Sequence, residues 1–175
     1  MKKVVIIGIV IAVVLVLAFF AYRSFTKSYS PEATADYNKG ELSVSVNYCR
    51  PYKKERKIFG GLVPYGEVWR TGANEATEIT VNKKVKFAGK DLEAGTYTLF
   101  TIPEENSWTI ILNSELGQWG AFNYAKEKDV LRVDVPVQTL NEEAEMFTVD
   151  FTEKGDTVNL LLYWDTVKVE VPITQ

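Results

Sequence analysis

Leu42-Ser43-Val44-Ser45-Val46-Asn47-Tyr48-Cys49 alternates apolar and polar residues with a period of two. Successive side chains of a strand point to opposite faces, so this pattern predicts a half-buried strand. The same rhythm recurs towards the C-terminus. Thr77–Val81 and Val85–Ala88 flank a turn at Asn82-Lys83-Lys84, and Thr96–Ile102 and Trp108–Leu112 flank a second turn at residues 103–107. Val130–Val137 puts Leu131, Val133, Val135 and Val137 on one side, and Phe147, Val149 and Phe151 alternate with polar neighbours. Thr157–Trp164 and Val167–Val171 read as a last hairpin across Asp165-Thr166. No helical period of comparable strength occurs between them. The expected fold is all-β, a single antiparallel β-sandwich of jelly-roll or immunoglobulin-like type spanning residues 40–175.

N-terminal to the strands the character changes. Val4–Tyr22 holds no charged residue and one glycine, Gly8. As a helix its nineteen residues span roughly 28 Å, close to the hydrocarbon thickness of a bilayer. Small residues do not occupy both positions of any Ala-x-Ala-like cleavage window near Ala18–Arg23, and no cysteine lies close by to carry a lipid. These features favour an uncleaved anchor (residues 1–23) that crosses the membrane through residues 4–22. Lys2 and Lys3 against Arg23 and Lys27 leave only a slight charge bias. A short basic tail kept inside places the domain in the periplasm or outside the cell. Residues 24–39, polar and containing Ser30-Pro31, read as a tether.

Composition then removes whole classes of chemistry. The chain has no histidine and one cysteine, Cys49. That excludes histidine-dependent nucleophiles, a disulfide framework and a zinc site of the usual ligand types. Neither a metal nor a cofactor is expected. Residues 1–27 hold four of the 20 basic residues and none of the 23 acidic ones, so 16 basic residues face 23 acidic ones in the remainder, a net of −7. A nucleic-acid partner is therefore not expected.

Two stretches interrupt the strand rhythm, Arg50–Ala76 and Asn113–Asp129. The first contains Tyr48-Cys49-Arg50-Pro51, Ile58-Phe59-Gly60-Gly61-Leu62-Val63-Pro64-Tyr65-Gly66 and Val68-Trp69-Arg70-Thr71-Gly72-Ala73-Asn74-Glu75-Ala76-Thr77. With Ala94-Gly95-Thr96-Tyr97-Thr98-Leu99-Phe100 and Gln118-Trp119-Gly120-Ala121, these strings resemble the bacterial family designated domain of unknown function 2911. The resemblance covers nearly the whole domain. It implies a secreted or membrane-anchored β domain and carries no activity. Members usually have serine where this chain has Cys49, which argues against a thiol-dependent role.

Within the motif, Gly72 and Ala73 permit a tight backbone course, while Trp69, Arg70, Asn74 and Glu75 offer a flat apolar face, a forked donor, an amide and a carboxylate. Those groups suit a small polar or carbohydrate-like ligand. Arg50, Tyr65 and Trp119 complete the candidate ligand-binding set, provided that the two irregular stretches meet; Tyr124 would line the same cleft. The competing reading makes Arg70 and Glu75 a brace and the tryptophans core. Arg50, Lys53, Lys54, Arg56 and Lys57 form a basic run that serves either as an anion-facing patch or as a solvated loop. Alternation places Cys49 on the polar side of its strand. Two other functions compete with binding: a hydrolase using Glu75 as general acid or base, and a non-catalytic assembly module working through a strand edge near Glu142–Asp156. The sequence does not specify an oligomeric state.

Overall fold

The computed structural model describes residues 2–175. One helix, α1 (Lys2–Tyr29), precedes nine strands: β1 (Glu32–Lys39), β2 (Leu42–Cys49), β3 (Thr77–Val81), β4 (Val85–Phe87), β5 (Lys90–Leu92), β6 (Gly95–Pro103), β7 (Ser107–Asn113), β8 (Asp129–Lys154) and β9 (Thr157–Thr174). α1 is the one described helix long and apolar enough to cross a membrane, and none of its residues is buried in the domain. By length and composition it is compatible with a membrane anchor or a signal sequence.

The strands form one open antiparallel sheet, in the order β1-β2-β3-β6-β7-β8-β9-β4-β5. β8 is the hinge of the sandwich-like body. Its first part pairs with β7, from Ser107↔Pro136 to Asn113↔Asp129, and its second part pairs with β9, from Val137↔Val169 to Lys154↔Thr157. The far part of β8 folds back over the first strands. There the Tyr48 hydroxyl accepts from the Val149 amide at 3.1 Å, and the Tyr37 ring packs on Phe151 at 5.8 Å. Between the two halves Trp69, Trp108, Trp164, Phe59 and Phe147 form one aromatic cluster, with Trp69 stacked on Trp164 at 6.1 Å and 16°.

Three expectations need correction. Residues 24–39 are not a tether. The helix continues to Tyr29, helped by the Phe25–Tyr29 ring contact at 5.0 Å, and stops before Ser30-Pro31, where a proline disfavours helix in the residue before it. Glu32–Lys39 then pairs along its full length with β2. Its inward residues, Ala33 and Ala35 beside Tyr37, are mostly too small to signal a strand. Second, β3 and β4 are not partners across residues 82–84: β3 lies between β2 and β6, while β4 pairs with β5 and β9. Third, no hairpin turns at Asp165-Thr166. Asp165 adopts φ 57°, opposite an irregular part of β8, and kinks one continuous strand; the hairpin turns instead at Gly155 (φ 63°) and Asp156.

Candidate functional site

The motif Trp69–Ala76 is held by the sheet at one end and by the second irregular stretch at the other. Trp69 and Thr101 exchange backbone hydrogen bonds of 2.7 and 2.9 Å. The Ala76 amide donates to Gln118 O and the Gly120 amide to Asn74 O, both at 2.9 Å, so the two irregular stretches do meet. Between these anchors the backbone is strained. Thr71 and Asn74 both sit at φ 56°, a region that a β-branched residue rarely enters. The Thr77 hydroxyl donates to Thr71 O at 2.6 Å and fixes the turn. Gly72, at φ 150°, presses so close to β2 that a Cβ would lie 2.9 Å from Cys49 O. Strain held this firmly is characteristic of functional loops.

The side chains then divide. Trp69 is 8% exposed, its indole N–H donates to Gly72 O at 3.0 Å, and it packs within the aromatic cluster while lining one hollow beside the motif. Arg50 donates from Nε to Phe147 O at 3.3 Å and from a terminal nitrogen to Thr148 Oγ1 at 2.8 Å, bracing β8. Tyr65 packs over Gly60 with Glu104 and Glu105 nearby. Neither Arg50 nor Tyr65 lines the hollows that flank the motif. Tyr124 is bound to Asp129 (2.6 Å) and Arg132 (2.9 Å); burial, together with the Asp129 carboxylate, pushes its hydroxyl up to about 12. Cys49 is buried rather than on a polar face, because the Gly72–Glu75 turn covers the end of β2. Burial pushes its thiol up, as expected of an inert cysteine.

Glu75 and Trp119 are occupied by α1. The Arg23 guanidinium pairs with Glu75 and lies 5.0 Å from the Trp119 ring centroid, while Lys27 Nζ is 3.2 Å from Glu75 Oε1. Burial alone would push the Glu75 carboxyl up. Its own backbone amide, Lys27 and Arg23 together outweigh burial and hold it below its ordinary value. Sequence reasoning missed this clamp: Arg23 and Lys27 bore only on membrane orientation, and no local pattern ties them to Glu75.

Two hollows flank the Asn74–Glu75 corner. The first, about 370 Å³, is lined by Glu32, Asn47, Cys49, Glu75, Glu78 and Gln118, among others. Each of its carboxylates has a partner: Glu32 pairs with Lys27, Glu75 with Arg23 and Lys27, and Glu78 accepts from the Gly117 amide at 2.8 Å. The second, about 410 Å³, is lined by Tyr29, Lys54, Arg56, Trp69, Arg70 and Asn74 together with small and apolar residues. No acidic residue among the described ones lines it. Arg70 Nε is fully buried without a protein hydrogen-bond partner, and Arg70 forms no ion pair with any described residue. Desolvation lowers its pKa, opposed only by the Cys49 thiol. Among the described residues no acidic or cysteine cluster could hold a metal ion.

The family model described as protein of unknown function (DUF2911) matches residues 30–173, from the end of α1 to the last strand. The chain belongs to this family. No curated protein and no solved structure matches. Membership in DUF2911 therefore fixes the kinship of the whole β domain and brings no activity with it, so the geometry around Arg70 has to carry the functional reading.

Proposed function

We propose that this DUF2911 protein is a membrane-tethered recognition module, facing the periplasm or cell exterior, that binds a small polar ligand without turning it over. The carrying observation is Arg70: a guanidinium set in a strained family-like motif, lining an open hollow, with its buried Nε unpartnered. Asn74, whose amide donates to Ser30 O at 3.5 Å, supplies a second polar group at the rim. The site is narrower than the sequence suggests. Arg70 and Asn74 face the ligand, while Glu75 and Trp119 secure the helix and Trp69 forms the floor.

Retention of α1 fits the same clamp, which holds the end of the helix directly against the domain. Arg23 follows the apolar run directly. Its contact with Trp119, and the 85% exposure of Phe122 on the same loop, suit a loop resting at the membrane–water boundary. A hydrolase using Glu75 as general acid is disfavoured, since an acid catalyst needs a raised pKa and Glu75 has a lowered one.

The test is a thermal-shift screen of the full chain in detergent against small polar compounds and short glycans. A ligand shift that disappears in Arg70→Met and Asn74→Ala is expected. Shifts unaffected by both substitutions, or no shift with any compound, would overturn the reading.

A further inference from the structure

Resting on that reading, the shape and charge of the Arg70 hollow narrow the ligand class. Three cationic residues, Lys54, Arg56 and Arg70, line it; Glu55, between Lys54 and Arg56 in sequence, does not line it, and two other acids near it are held elsewhere. Asp165 is held by Lys53 at 2.8 Å, and the Glu145 carboxylate accepts from the Lys54 backbone amide at 3.0 Å. Arg56 spends its donors on the carbonyls of Lys53 and Tyr52, and the Lys54 ammonium lies 4.5 Å from the centre of the Tyr29 ring. Of the three, Arg70 alone has no partner among the described residues. A planar forked donor in that state fits an oxyanion, which can take two of its N–H groups at once. Leu62, Val63, Pro51, Trp69 and Trp164 add apolar lining, and Ser30 and Asn74 add polar groups. At about 410 Å³ the hollow has room for an organic body beside the charged group.

We infer that this hollow is an oxyanion site, accepting the phosphate or carboxylate of a small organic molecule on Arg70, with Lys54 and Arg56 at its mouth and the organic body against Trp164 and Leu62. Its position allows two sources for that group. Tyr29, on the wall of the hollow, lies seven residues beyond Tyr22, the end of the apolar run, so it stands about 10 Å above the hydrocarbon edge. A headgroup layer is roughly 5–8 Å deep on each side. The mouth therefore stands a few ångströms beyond the headgroup layer: a soluble oxyanion enters directly from above, and an anionic lipid reaches it only with its headgroup raised out of the layer.

The test uses the full chain in a polyoxyethylene detergent, which brings neither phosphate nor sugar, at constant chloride. It is titrated with inorganic phosphate, glycerol 3-phosphate and acetate, with glycerol as the neutral partner, and read by calorimetry and by tryptophan emission, since Trp69 and Trp164 line the hollow. Saturable binding of an oxyanion but not of glycerol is expected, weakened at least about tenfold by Arg70→Gln and unchanged by Lys57→Gln, a basic-run residue outside the hollow. Arg70→Gln removes a charge without a protein counterion, so it should melt no lower than the parent, and loss of binding cannot then be ascribed to unfolding. A second arm places the protein in phosphatidylcholine nanodiscs with and without phosphatidylglycerol. A lipid source appears as an Arg70-dependent emission change with phosphatidylglycerol and as competition with inorganic phosphate; a soluble source leaves phosphate binding indifferent to it. Oxyanion binding equally sensitive to Lys57→Gln, or none in either arm, overturns the inference. If neutral polar compounds still bind through Arg70, the recognition reading survives and only the ligand class falls.

Discussion

The two hollows share a wall, the Gly72–Glu75 turn against the end of β2, yet they are balanced oppositely. In the acidic hollow every carboxylate is answered within the chain, by Lys27, Arg23 or a backbone amide. In the cationic hollow no described residue pairs with the Arg70 charge. The acidic side holds the helix against the domain, and the cationic side carries a charge that no described residue balances. Charge content does not separate the two; the presence of a protein counterion does.

Removing the floor of the cationic hollow should give the largest effect. Trp69→Ala empties the centre of the aromatic cluster and should destabilise the domain by about 3–5 kcal/mol, measured by chemical denaturation of the detergent-solubilised chain. A much smaller loss would mean that Trp69 is a surface platform after all and that the division between floor and site is wrong. Gly72→Ala attacks the wall itself, because its Cβ would meet Cys49 O at 2.9 Å from a left-handed backbone. A loss of about 1–3 kcal/mol is expected, with Asn74 and Glu75 displaced together, visible as loss of both ligand shift and helix clamp.

Glu75→Gln touches the acidic side alone. Both partners are about one-third exposed, so the stability loss should stay near or below about 1 kcal/mol. Tryptic cleavage after Arg23 and Lys27 should accelerate several-fold while ligand binding at Arg70 persists. The effect should also depend on pH. The Glu75 carboxyl is held below its ordinary 4.5, so its contribution is full above that value and lost as pH falls through the folded-state pKa. The melting difference between parent and Glu75→Gln should shrink only on acidification below 4.5. A difference that persisted into strong acid would show that the clamp is not electrostatic.

The sequence disclosed this comparison unevenly. The alternation of Leu42–Cys49 and of residues 131–137 was readable because one face of each strand meets a large core and the other meets water. β1 escaped notice because Ala33 and Ala35 fill inward positions without an apolar signal. The continuity of β8 and β9 escaped because a polar run and Asp165 look like turns; only pairing across the ribbon shows them as kinks. Arg70 and Asn74 were legible as motif residues beside small neighbours. The place of Trp69 was not legible, because a tryptophan within an irregular loop has no period to say which way it points. The clamp joins residues 52 apart in sequence, Arg23 and Glu75, and no local rule connects them.

The central claim is that Arg70 holds its charge without a protein counterion. Its most direct test is the melting temperature of Arg70→Met against the parent, in phosphate-free detergent at neutral pH. The account predicts a rise of a few degrees, the equivalent of about 0.5–1 kcal/mol, because an uncompensated, partly buried charge is replaced by an apolar side chain. A fall of similar size would contradict it, and would mean that Arg70 braces the loop rather than waiting for a ligand.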